Sequence, residues 1–292
     1  MLALALTLVA SLAQEAAGEH HGGCILRTPL GEVPAALYQE SEVVETDEYR
    51  PFTKKLTVCG IVLIAEDEVP DPFLRRVGRT IKEIFSRNGD VDRELQKELI
   101  ERLYAHKAII PVPRTERSLE RLIEGNEAAL DRIQAQASMC DIIMAEVPEG
   151  QVMEVVEHIL HIVTDVGLHT RFPAEWGISE DSELSEAMWQ AVEKGYYSID
   201  SYRDLEEEVD PDTYNRILLQ EFAYWFISTA WDLQEPYGPK EPEWTIRDRE
   251  ELAEKLPEFF EVYERTVERV MTAPSLSTLA EFGPTRREER SR

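Results

Sequence analysis

Apolar and polar positions follow two different periods along this chain, and the change of period divides it. Residues 56–65 (Leu-Thr-Val-Cys-Gly-Ile-Val-Leu-Ile-Ala) form a continuous β-rich run, which predicts one buried strand. Asp71-Pro72 reads as a helix start, Asp as cap and Pro at the first helical position. Phe73, Val77, Ile81 and Phe85 then recur on one face to about residue 87. After a turn at Asn88-Gly89-Asp90, the pattern predicts a helix over 91–106 and a short strand over 108–112. It continues with an Arg/Glu-rich helix over 118–137 and a strand over 141–147. Before all of these, residues 14–53 lack apolar periodicity and predict a polar leader with at most a short strand at 35–38.

From residue 151 onward the period is helical. Helices are expected over 151–167, closed by Gly167, and over 182–194, stopped by Gly195. A third is expected over 210–231, capped by Asp210 with Pro211 first, and a fourth over 250–271, broken near Pro257. The division is therefore an α/β portion over 54–148, a mainly helical portion over 149–273 and a fraying tail over 274–292. The fold class is α+β.

The helix over 151–167 is apolar except for one stripe. Glu154, Glu157, His158, His161 and Asp165 fall within about 120° of arc at ~100° per residue. No Lys or Arg interrupts the stripe. Such a face is either the wet side of an amphipathic helix or a set of metal-ligating and acid–base groups. Residues 217–231 add a second signal. They are apolar nearly all round, and Glu221 is their only acid. A lone carboxylate buried there must be protonated, paired or bound to a metal. Its partner is then either an ion shared with Glu157 and His161, or an Arg or one of the imidazoles, His158 or His161.

Composition narrows the classes. The chain has 292 residues and a formal net charge of −27, a surface that repels nucleic acid and anionic membranes. Residues 1–13 read as an export signal with small residues before a cleavage point after Ala13. This predicts a secreted or periplasmic acidic protein with no stable membrane insertion. Three cysteines, Cys24, Cys59 and Cys140, permit one disulfide and one free thiol, and their pairing stays open. Cys59 and Cys140 lie in apolar runs and read as buried small hydrophobes. No Cys-x-x-Cys pair, phosphate loop or Gly-x-Ser-x-Gly elbow occurs.

Glu157 and His161 stand four apart, one turn above each other, as two ligands of one ion must. The order Glu157-His158-Ile159-Leu160-His161 mirrors the zinc-peptidase pattern H-E-x-x-H, with Glu at the first ligand place and His at the general-base place. With Pro173-x-x-Trp176 and Glu221-Phe222-x-Tyr224-Trp225, this segment resembles secreted relatives of gluzincin-type zinc metallopeptidases with an altered H-E-x-x-H helix. The resemblance spans roughly residues 56–271 and implies a zincin-like fold. It also implies zinc on Glu157, His161 and Glu221, and a peptide or protein substrate. A hydrolase of this kind would use His158 or Glu154 as proton acceptor, Tyr224 as oxyanion partner and Asp165 as the carboxylate that orients His161. The alternative is a non-catalytic exported module that uses the same cluster as a buried polar network or structural metal site.

Overall fold

The structure is a computed structural model that describes residues 19–21, 24–26, 34–239 and 242–283. The export signal expected at 1–13 and the end of the tail lie outside the described residues. An antiparallel pair, β1 (Glu19–His21) and β2 (Cys24–Leu26), precedes the main body. The principal sheet has four strands in the order β3 (Val44–Glu45), β4 (Lys54–Val58), β5 (Ile61–Ala65) and β6 (Ile109–Val112). The first three are antiparallel, and β6 runs parallel to β5.

The run expected to be one strand is a hairpin. Cys59 (φ 47°) and Gly60 (φ 78°) form a two-residue turn with both residues left-handed, so β4 and β5 fold back on each other. The register pairs Val58 with Ile61 and Leu56 with Leu63, so core-facing positions change from even to odd across the turn; the unbroken apolar run hides that change. Residues 35–38 form a turn rather than a strand, and the added strand is β3.

The parallel β5–β6 link requires a crossover. It is made by α1 (Asp71–Ile84) and α2 (Arg93–Ala105). Pro70 rather than Asp71 caps α1, while the Asp92 carboxylate accepts from Leu95 N at 3.1 Å to cap α2. Side chains alternate across the sheet: Leu63 and Ile110 enter the large core, whereas Ile64 and Ile109 enter a smaller cluster with Leu122, Leu130 and Ile133. The last three come from α3 (Glu116–Ile123) and α4 (Glu127–Gln134), two helices where one was expected. Gly125, at φ +95°, separates them.

The strand expected over 141–147 is an extended strip without a regular ladder. It is tied along β6 by Ile109 N to Ser138 O, Ile143 N to Pro111 O and Ala145 N to Pro113 O, each 3.0 Å. Cys140, just before Asp141, is disulfide-bonded rather than a free buried hydrophobe, whereas Cys59 is a free buried thiol. Burial pushes the Cys59 thiol pKa up to about 12.

The striped helix α5 (Gln151–Ile162) follows from Gly150, which sits at φ +77°. It does not close at Gly167. The chain passes into a π-helical turn (Val163–Leu168) and on to Arg171. Gly167 serves close packing instead: a Cβ there would lie 3.2 Å from the side chains of Leu99 and Leu103 on α2. After α6 (Glu183–Glu193) comes α7 (Pro211–Ala230), which packs along α5. The Asp210 carboxylate caps α7 by accepting from Thr213 N at 3.0 Å, as the Asp-Pro start predicts. The fourth expected helix is divided into α8 (Arg249–Lys255), α9 (Pro257–Arg265) and a last turn at Val267–Val270. One apolar cluster joins sheet and helices from Leu37 to Leu279. Among the described residues, no helix is long and apolar enough to cross a membrane.

Candidate metal centre

Three segments meet at one buried point: the strip after β6, the polar stripe of α5 and the middle of α7. Each arrives for a local reason. The strip is hung on β6 and places Asp141 toward α5. The start of α5 is fastened to the same strip, since Gln151 Nε2 donates to Met144 O at 2.8 Å and Glu154 Oε1 accepts from Met144 N at 2.7 Å. Helix α7 is buried on almost every side, so Glu221 enters the interior, where it is 2% exposed.

Glu157, His161 and Glu221, the ligand set implied by the sequence, lie together: one ligand atom from each falls within 4.8 Å of the others. His161 is 0% exposed. Its Nε2 is 3.6 Å from Glu221 Oε2, an ion-pair separation too long for a hydrogen bond. His161 Nε2, Glu157 Oε1 and Glu221 Oε1 are buried without a hydrogen-bond partner among the described residues. Buried polar atoms are normally satisfied, and these three lie close enough together that the group could hold a metal ion.

A second buried group, Asp141, His158 and His161, shares His161 with the first. Asp141 Oδ2 contacts His161 Nδ1 closely and lies 2.9 Å from His158 Nδ1. The other Asp141 oxygen accepts from Ile142 N at 2.7 Å. His158 Nε2 lies 3.3 Å from Glu154 Oε2. The residue expected to be a proton acceptor is thus enclosed between two carboxylates. The two imidazole rings sit edge to face with centroids 5.5 Å apart.

Asp165 does not orient His161. It pairs with Arg216 at 2.9 Å, and the carboxylate on His161 Nδ1 is Asp141. The reason is the π-helical turn, which begins at Val163 and carries Asp165 toward α7 rather than along the stripe. Arg216 also donates to Gln220 Oε1, and Gln220 Nε2 lies 3.4 Å from His161 Nδ1. Tyr224 stands edge-on to His161 with centroids 6.0 Å apart, and its buried hydroxyl has no hydrogen-bond partner among the described residues.

Burial and charge pull these groups in opposite directions. Burial and the neighbouring Glu221 raise the Glu157 pKa to about 8. Burial alone would lower both imidazoles. Glu221 and Asp141 outweigh it and raise His161 to about 10, and Asp141 and Glu154 raise His158 well above its usual value. Burial opposes ionisation of Asp141 too, yet the two imidazoles hold its pKa well below the usual range. Without metal, Glu157 therefore keeps its proton near neutral pH, and the two imidazoliums enclose the Asp141 carboxylate.

Sequence reasoning missed Asp141, Gln220 and Arg216. Asp141 carried the same signal as Glu221, an acid at the edge of an apolar run (Met-Cys-Asp-Ile-Ile). Arg216 and Gln220 stand one turn apart before Glu221, but nothing in their spacing marks them. The chain matches no protein-family model, no curated protein and no solved structure.

Proposed function

We propose that this is a metal-binding protein whose buried centre holds a divalent cation on Glu157, His161 and Glu221. The observation that carries the reading is the convergence of their three orphaned, buried donor atoms. A nitrogen and oxygen donor set without thiolate suits zinc and the other borderline divalent metals. The role is structural in the first instance: His161 is 0% exposed, Glu221 2% and Tyr224 1%, and Asp141 and Glu154 occupy the general-base candidate His158. The disulfide at Cys140 supports an oxidising, exported setting.

Hydrolysis of peptides is the second reading. One observation favours it: the Tyr224 hydroxyl, buried on the helix that carries Glu221 and, among the described residues, without a hydrogen bond of good geometry. A bound zinc would there supply an activated water. In that case Glu157, His161 and Glu221 bind, and Tyr224 is the group placed to stabilise a developing oxyanion.

The test is metal analysis of the purified chain. At least one tightly held divalent ion per wild-type chain is expected, and its loss in Glu221→Ala and His161→Ala. At an ion concentration about a thousandfold above Kd, linkage raises stability by about 4 kcal/mol, read as a Tm that falls on chelation. A chain that stays metal-free after zinc challenge overturns the proposal. Cleavage of a peptide library that stops on chelation would establish the hydrolase reading.

A further inference from the structure

One ion on Glu157, His161 and Glu221 leaves half of the cluster unexplained. His158 Nδ1 is buried and, among the described residues, has no hydrogen-bond partner, although Asp141 Oδ2 is only 2.9 Å away. That contact lies off the direction a ring N–H would need. His158 is 7% exposed and Asp141 6%, so bulk solvent does not reach the pair.

The amide of Gln220 supplies a second observation. Arg216 Nη1 donates to Gln220 Oε1, and a guanidinium can only donate, so the amide oxygen must face Arg216. The amide NH₂ is thereby turned toward His161 Nδ1, 3.4 Å away. The same nitrogen is hydrogen-bonded to the Asp141 carboxylate through a ring proton, so a cation that replaces this proton meets a nitrogen and a carboxylate oxygen as ready ligands.

Formal charge points the same way. Asp141, Glu154, Glu157 and Glu221 bring four carboxylates to two imidazoles. The guanidinium that reaches this region, Arg216, is held by Asp165 and Gln220. Once the imidazoles give up their protons on loading, four carboxylates and one imidazolate carry five formal negative charges; one divalent ion offsets two of them and a second offsets two more.

We propose that the centre binds a second divalent cation on Asp141, His158 and His161 Nδ1, and that His161 bridges the two ions as an imidazolate. The ligand atoms of this second group lie within 4.8 Å of one another. On loading, His161 releases its remaining ring proton to solvent, so that each nitrogen gives one electron pair to one ion. Both triads offer only nitrogen and oxygen, which fits zinc, cobalt(II) or copper(II). The inference rests on the first ion being bound as proposed above.

The experiment uses the metal-free full chain, loaded with excess zinc and desalted against a weak chelator to strip surface-bound ions. Elemental analysis should find two zinc ions per wild-type chain and one in His158→Ala. Loaded with two equivalents of copper(II), the wild type should lose the isolated-copper electron paramagnetic resonance signal, because two coppers across one imidazolate couple magnetically. One retained zinc in the wild type overturns this proposal and leaves the first ion standing. None overturns both. Two magnetically independent coppers overturn the bridge. The wild-type measurements decide the matter even where His158→Ala does not fold.

Discussion

Asp165 and Arg216 form an ion pair sealed from water, 0% and 2% exposed, beside the buried His/Asp/Glu cluster. Burial raises the Asp165 pKa to about 6 even against the attraction of Arg216. Its unfolded value is near 3.8, so the folded state keeps this proton to higher pH than the unfolded chain does. The stability it contributes is full below about pH 4 and is lost as pH rises through about 6. Asp165→Asn lacks that titration. The stability gap between wild type and variant should therefore shrink between about pH 4 and 6 and then level off. Denaturant unfolding across that range measures it, and parallel pH profiles would refute it. Glu221 is a different case, because among the described residues its Oε1 has no hydrogen-bond partner. In the metal-loaded protein, Glu221→Gln keeps the shape but removes a ligand charge, and zinc affinity should fall at least tenfold in a chelator competition. An unchanged affinity would remove Glu221 from the ligand set. Both acids were visible in the sequence, Glu221 as a lone charge in an apolar helix and Asp165 as part of the stripe. Their partners were not, because a partner is chosen by which helices meet.

Among the elements, the turn between β4 and β5 is the most tightly specified. A Cβ on Gly60 would lie 2.6 Å from Ile100 O, and the residue sits at φ +78°. Gly60→Ala thus combines a left-handed backbone with a clash against the backbone of α2. It should cost about 1–3 kcal/mol, read as a lower denaturation midpoint. The π-helical turn at Val163–Leu168 has a different consequence. It lets one continuous stretch present His158 and His161 to Asp141 while turning Asp165 to Arg216. Helix existence and caps were legible, as Asp210-Pro211 before α7 illustrates. The hairpin inside residues 56–65 and the break at Gly125 were not. In both, a left-handed residue interrupts an element that the composition of the run reads as continuous.

At the scale of the whole molecule, the formal charge of −27 dominates. Ion pairs such as Arg114 with Glu146 and Arg269 with Asp92 are exposed and weak. Self-repulsion therefore opposes the compact state at low ionic strength. Raising sodium chloride from about 0.01 to 0.5 M shortens the Debye length from roughly 30 to a few ångströms. The Tm should rise by several degrees over that range, and a flat or falling Tm would contradict the account. The same surface concentrates divalent cations near the protein, so adventitious binding must be separated from the buried centre by affinity.

Sequence alone determined which apolar runs had to be buried and that one of them, around Glu221, carried a charge inward. Periodicity places Glu157 and His161 on one helix face, and an all-apolar surround drives Glu221 inward, because both follow from local geometry and the cost of desolvation. Tertiary structure decided what those charges meet. Asp141 reaches the imidazoles through backbone bonds between its strip and β6, and Arg216 takes Asp165 through the packing of α7 on α5. Contacts between distant segments depend on how whole elements pack, and no single stretch of sequence contains that information.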